Sequence, residues 1–374
     1  MRVDMLLFIL IFISAGCNNS SSNPELTHNA NGYARGFQIE KRENITKLIV
    51  FNPWENAKHI FLEYYLLNKN SMVPDSVAGE NIIRIPVNRV ICLSTTHLAF
   101  LSALDEIDAV AGVSGIKYVS DSELKMRMEK DEIFDVGYGQ NLNYELVVGM
   151  RPDLVLVYGV DSDVTGILKK MNELGIPAVV MAEYLEEFPL GKTEWIKFVA
   201  TFFQKEKRAE EYFRQTEREY NRLKKLVAVK KDKPRVLVGS PYRDAWWVPG
   251  GRSYLARLIA DAGGNYLGNG NNSHESYVIS FEHALAWGSE ADIWINMGNM
   301  GSKKEIIASD QRFESFKVFN QGKIYNNIKR LDSDGGNDFW ESGTVNPHLI
   351  LQDLIHIFYP GLIDIELTYY EEIK

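Results

Sequence analysis

The groups best suited to chemistry in this chain are flat rings and guanidinium groups, not acids, bases and nucleophiles at catalytic spacing. The 7 histidines show no His-Glu-x-x-His or other paired spacing that would hold a bare transition metal. Gly112-Val113-Ser114-Gly115 lacks the second spacer of a nucleophile elbow, which needs Gly-x-Ser-x-Gly. There is no P-loop. Gly263-Gly264, with Gly268 and Gly270, does not follow a strand as a dinucleotide fingerprint must. No enzyme, metal site or cofactor is therefore expected. His97 opens a helix, where it could touch a bound ligand or simply cap and orient its loop.

The rings concentrate in Gly239-Ser240-Pro241-Tyr242-Arg243-Asp244-Ala245-Trp246-Trp247-Val248-Pro249-Gly250-Gly251, directly after a strand. Ligands of open α/β sheets sit outside the carboxyl ends of strands, which places Tyr242, Trp246 and Trp247 for binding. Adjacent residues of a strand point to opposite faces, so one of the two tryptophans should be core. Arg243, Arg252, Lys117 and Arg330 are candidate anion partners, because guanidinium clamps a carboxylate or phosphate with two parallel bonds. A solvated surface role is the alternative for each.

The elements that must position these groups are legible from residue 86 onward. The chain has 374 residues, 45% hydrophobic and 24% charged, too long for one core, so two domains are expected. The net charge of -9 argues against nucleic acid. Arg89–Leu93, Ala109–Val113, Asp153–Val157 and Ile176–Val180 read as strands, with helices at Leu98–Ile107, Glu145–Met150 and Val164–Leu174 between them. This alternation means a parallel α/β sheet. Two amphipathic helices follow, Lys192–Phe203 and Lys207–Val227. The alternation then restarts with a strand at Arg235–Gly239, a helix at Ser253–Ala262, a short helix at Phe281–Trp287, strands at Ala291–Ile295 and Gly322–Tyr325, and a last helix at His348–Phe358. The fold class is α/β: two Rossmann-like lobes with parallel sheets, joined by a long α-helix, with a ligand cleft between them. Hinge closure around a ligand suits that plan. Before residue 86, the runs Phe37–Glu40, Lys47–Phe51 and Ile60–Leu67 suggest a small β annex.

At the N-terminus an apolar run, Met5–Ile13, precedes Ser14-Ala15-Gly16-Cys17. The run is too short to span a bilayer permanently. Small residues before Cys17 look like a lipobox, in which the cysteine is acylated, although Ser14 stands where that motif usually has Leu. A plain signal peptide is the alternative. Asn18–Asn23 reads as a polar tether. Cys92 is the only other cysteine, so no internal disulfide is expected. The expected segments are a lipoprotein signal peptide at 1–17, tether and β annex at 18–85, an N-terminal lobe at 86–190, linking helices at 191–230 and a C-terminal lobe at 231–374.

Taken together, residues 86 to 362 resemble the helix-linked (class III) periplasmic solute-binding proteins of ABC importers for ferric siderophores, haem and cobalamin. Four features carry the resemblance. They are the first strand followed by Ser94-Thr95-Thr96-His97, the segment Asn143-Tyr144-Glu145-Leu146…Arg151-Pro152-Asp153-Leu154-Val155, Leu174-Gly175-Ile176-Pro177, and the restart at Pro234-Arg235-Val236. Thr95 and His97 depart from the Pro and Glu usual in the first loop. The resemblance implies a monomeric receptor in the periplasm, held to a membrane only by its lipid, with a permease dimer and its ATPase subunits as partners. It implies docking on the permease through one glutamate per lobe, Glu145 and Glu282; the alternative is that each merely complements a helix N-terminus. It also places Tyr138, Tyr277 and Trp340 beside the cleft. The ligand would be an iron complex or a corrinoid, with the iron complex favoured by the Tyr242-Arg243 pair. A lipoprotein hydrolase, or an adhesion or scavenging module, is the reading from another class.

Overall fold

The computed structural model describes residues 32–374 except 43, 80, 161, 243 and 244, and leaves aside the side chain of Tyr242. Cys17, the tether and Arg243 thus lie outside the described residues.

The annex is a sheet of β1 (Phe37–Arg42), β2 (Ile45–Phe51), β3 (Phe61–Asn68) and β4 (Ile82–Ile85) in that order. Its β1–β2–β3 meander is antiparallel and β4 joins β3 in parallel. The first lobe follows with β5 (Val90–Cys92), α1 (Thr95–Ala103), β6 (Val110–Val113), α2 (Ser122–Glu129), β7 (Phe134–Asp135), α3 (Tyr144–Met150), β8 (Leu154–Val157), α4 (Val164–Glu173) and β9 (Ala178–Val180). Its sheet is parallel throughout, in the order β7-β6-β5-β8-β9. Central strands β5 and β8 are wholly buried, as their β-branched runs require.

Two helices link the lobes, α5 (Pro189–Phe203) and α6 (Glu206–Val227). Helix α6 is about 33 Å long at 1.5 Å per residue and buries Phe213, Thr216, Tyr220 and Leu223 of the expected stripe. Helix α5 starts earlier than expected, with Pro189 in its first turn, where a missing N–H costs nothing. It is not a surface helix. Trp195, Phe198, Val199 and Phe202 are buried, and so are Thr193 and Glu194 on the other side. The chain turns from α5 into α6 through Gln204, whose φ is 57°.

The second lobe comprises β10 (Arg235–Val238), β11 (Pro241–Tyr242), β12 (Ala245–Val248), α7 (Tyr254–Asp261), β13 (Asn265–Tyr266), β14 (Tyr277–Ile279), α8 (Phe281–Glu290), β15 (Ile293–Ile295), α9 (Lys303–Ser309), α10 (Lys317–Gln321), β16 (Lys323–Asn326), α11 (Pro347–Phe358) and β17 (Glu371–Glu372). Its main sheet runs β13-β10-β15-β16-β17, parallel except for the antiparallel edge strand β17. Strands β11-β12-β14 form a separate antiparallel sheet that the sequence did not suggest.

One apolar cluster runs from the annex through α1, α5 and α6 into α7 and α11, so both lobes share a core along the linking helices. The annex is tied to α5 by two buried carboxylates. Glu194 accepts the backbone N–H groups of Gly32, Tyr33 and Ala34, at 2.9–3.2 Å. Glu186 accepts those of Arg35 and Gly36, and the indole N–H of Trp195 at 3.0 Å. Burying a charge is tolerable only with such hydrogen bonding. The annex also covers the first lobe's edge: the Tyr64 hydroxyl accepts the Val180 N–H of β9 at 3.1 Å. An otherwise open sheet edge is thereby closed.

Polar contacts draw the lobes together. The Glu341 carboxylate of the second lobe accepts the N–H groups of Ser120 and Asp121 of the first, at 2.8 and 2.9 Å. Lys125 pairs with Asp332, and Arg252 with Glu187.

Candidate functional site

A cavity of about 630 Å³ lies in the first lobe. Its wall comes from the segments that leave successive strands: Leu93 after β5, Ser114 after β6, Gly137 to Gln140 after β7, and Tyr158 to Val160 with Ser162 and Asp163 between β8 and α4. From β5 the chain moves outward to β6 and β7, then returns to β8 on the other side of β5. The cavity therefore sits at the carboxyl ends of the strands, where the sheet reverses direction, the usual ligand position in open α/β sheets.

The wall is held from behind. Tyr184 donates its hydroxyl proton to the Gly159 carbonyl at 3.0 Å, and the Glu55 N–H of the annex donates to the Val160 carbonyl at 3.0 Å. Trp54 is buried in the same cluster as β5 and β8. The loop after β8 is thus braced by an annex segment that precedes it by about a hundred residues. Tyr158 packs edge-on against Tyr184 at 5.3 Å between ring centres. Burial, with nearby Glu183, pushes its phenol up to about 12, so it keeps its proton at any physiological pH. The Ser114 hydroxyl donates to the Gly137 carbonyl at 2.6 Å. That hydroxyl is committed to the backbone and not to a base.

Of the residues expected to meet ligand, Tyr138 lines this cavity and is 65% exposed. Trp247 and Trp340 are about half exposed, on the second lobe. Trp340 follows Phe339, which packs edge-to-face against it at 4.7 Å. Tyr277 is half-buried, pairs with Val248 across the small sheet and packs on the second-lobe core. Tyr242 pairs with Ala245 in the β11–β12 hairpin.

Two expectations need correcting. Trp246 does not face a cleft: it is 2% exposed and stacks on Phe316 at 5.9 Å and Trp294 at 6.0 Å, with its N–H donated to the Val238 carbonyl. The in–out alternation of the pair holds, with Trp246 inward and Trp247 outward. His97 is wholly buried in the first turn of α1, and neither ring nitrogen has a hydrogen-bond partner among the described residues. Burial lowers its pKa to about 4, against the opposing pull of Glu183, so the ring is neutral and touches no open space.

Of the candidate anion partners, the three that lie among the described residues have partners of their own. Arg252 pairs with Glu187 at 3.1 Å and Arg330 with Asp338 at 2.9 Å, while Lys117 lies over the Tyr118 ring at 4.8 Å.

Glu145 and Glu282 occupy equivalent local positions. Each is exposed and stands second in its helix, behind an aromatic residue and a side-chain cap: Asn143-Tyr144-Glu145 opens α3 and Ser280-Phe281-Glu282 opens α8. Hydrogen bonds from its own backbone N–H and from Ser280 hold Glu282 below the usual carboxylate range.

Sequence reasoning did not single out Tyr144, Tyr158, Gln140 or Asp163 as cavity residues. The rule that ligands gather at carboxyl ends of strands would have found Ser114 and Tyr158.

The profile of the family described as periplasmic binding protein matches residues 90–328. The chain belongs to that family. Its members are substrate-binding proteins of transporters, not enzymes. Over 96% of its length the chain is 27% identical to an uncharacterised lipoprotein of Methanocaldococcus jannaschii, covering 92% of that protein. A second such lipoprotein of the same organism is 25% identical, over 95% of this chain and 90% of the relative. Among solved structures, a TroA-like periplasmic binding protein from Veillonella parvula superposes with a TM-score of 0.58 and 18% identity, covering 78% of this chain and 96% of that one. A periplasmic haem-binding protein from Pseudomonas aeruginosa gives 0.57 and 16%, covering 77% and 98%. These neighbours share the two-lobe α/β fold. The annex precedes the matched region.

Proposed function

We propose that this periplasmic binding protein is the receptor of an ABC importer for a bulky metal chelate, a ferric siderophore, haem or a corrinoid. The observation that carries the reading is the cavity at the strand ends of the first lobe, bordered by Tyr138, Tyr144 and Tyr158. Aromatic faces bury large area at little entropic cost, and 630 Å³ lies within the range of small-molecule sites. The exposed rings of Trp247 and Trp340 on the second lobe extend the same chemistry. The loaded form docks through Glu145 and Glu282 onto cationic groups of a permease, whose ATPase subunits supply the energy. Two fixed charges select orientation more than affinity.

Acylation of Cys17 would hold the receptor at the membrane face, and the lipoprotein names of the archaeal relatives support that anchor. The body acts as a monomer in the periplasm and performs no covalent chemistry.

The test is native mass spectrometry of the chain with a panel of ferric siderophores, haem and cobalamin. One chelate should bind one to one and raise the melting temperature, by about 2.7 kcal/mol of stabilisation at a hundredfold excess over Kd. A folded protein that binds none of them, or that turns over a generic ester and loses this in Ser114→Ala, overturns the reading.

A further inference from the structure

We infer that the chelate presents an uncharged or cationic face to the first-lobe cavity, and that anionic chelates are rejected. The inference rests on the receptor reading of that cavity and adds the charge class of its ligand.

Three observations converge. The described wall contains hydroxyls, an amide and three phenols, but no Lys, Arg or His; its charged member is Asp163. Carboxylates also stand behind the wall. The carboxylates of Glu183 and Glu55 both act on the Tyr158 and Tyr184 phenols behind the wall, adding to the effect of burial in discouraging a further negative charge there. Finally, three of the candidate cations, among the described residues, already have partners. Arg252 holds Glu187, Arg330 holds Asp338, and Lys117 rests on Tyr118.

An anion entering this cavity would give up its water and meet acceptors and a carboxylate in exchange. Charge is buried only when it is paired, and mismatched charge is a strong means of rejecting wrong partners. A neutral chelate loses nothing of that kind. It can stack on Tyr138 and accept or donate hydrogen bonds at Gln140, Ser162 and Thr165, which sit along the same wall. A cationic chelate gains from Asp163 as well.

The experiment keeps the metal fixed and changes the charge. The full chain is titrated by fluorescence quenching with neutral ferrioxamine E, monocationic ferrioxamine B and a trianionic ferric tris-catecholate, with cyanocobalamin as a neutral macrocycle without iron. At least one neutral or cationic probe should bind at least tenfold more tightly than the tris-catecholate. The variant Gln140→Arg adds a guanidinium at an exposed wall position. It should raise the affinity for the tris-catecholate relative to the neutral probes about fivefold, the effect of one half-exposed charge pair; an unchanged ratio would count against the inference. If the tris-catecholate binds wild-type protein as tightly as the others or more so, the inference falls while the receptor reading stands. If no probe binds a protein that melts cooperatively, the receptor reading falls with it.

Discussion

Replacing Glu341 by Gln should abolish most of the pH dependence of lobe closure. Glu341 is 4% exposed and reaches from the second lobe to the N–H groups of Ser120 and Asp121 at the head of α2. Burial outweighs those two hydrogen bonds and raises its pKa to about 8 from the ordinary 4.5. When the lobes part, the carboxyl meets water and returns to the ordinary value. Between these two pH values the closed form therefore holds one proton more than the open form. Closure is strongest below about pH 4.5, weakens as pH rises through the window, and levels off above pH 8. Each pH decade is worth about 1.4 kcal/mol, which caps the effect at about 5 kcal/mol. Relaxation of the surroundings makes about 2 kcal/mol the working figure. Gln cannot titrate and resembles the protonated acid in shape. Small-angle scattering of the ligand-free protein from pH 5.5 to 8.5 should show the wild type expanding with pH and Glu341→Gln holding constant. A wild-type radius independent of pH, or the same expansion in both proteins, would refute this reasoning.

Other substitutions separate core from site. Trp246→Ala should cost about 3–5 kcal/mol in denaturant unfolding, as removal of a buried ring does, while Trp247→Ala stays within about 0.5 kcal/mol and weakens ligand binding instead. Tyr64→Phe leaves the Val180 N–H of an edge strand unpaired and should cost about 1 kcal/mol, with faster hydrogen exchange at β9. His97, buried and neutral, favours the folded state less as pH falls from about 6.5 to 4, because only the unfolded chain takes up the proton; His97→Leu should reduce the loss of melting temperature across that range. Glu145→Arg with Glu282→Arg should stop uptake while ligand affinity stays as in wild type; uptake that survives would discard the docking assignment.

The parallel sheets were legible because their central strands are unbroken β-branched runs between Gly and Pro punctuation, as in Leu154–Val157. Helices α2, α9 and α10 were not, being short and mostly polar or solvent-facing. Period-two alternation told that one of Trp246 and Trp247 points inward, but not which. That choice belongs to Trp294, Phe313 and Phe316, which arrive from far along the chain to stack around Trp246. The stripe of α6 was readable, whereas the burial of Thr193 and Glu194 on α5 was not. A carboxylate enters a core only because distant N–H groups meet it, and those of residues 32–34 carry no sequence signature. Tyr138 was found through the family resemblance. Tyr158 and Gln140 needed the sheet order, which shows which strand ends converge.

The most direct check is anomalous diffraction at the absorption edge of the metal in a crystal of the loaded receptor. The metal should lie at the carboxyl ends of β5, β6 and β8, with the chelate against Tyr138 and Tyr158. A metal found on the opposite side of the first-lobe sheet, or bound only among second-lobe residues, would contradict the proposed site.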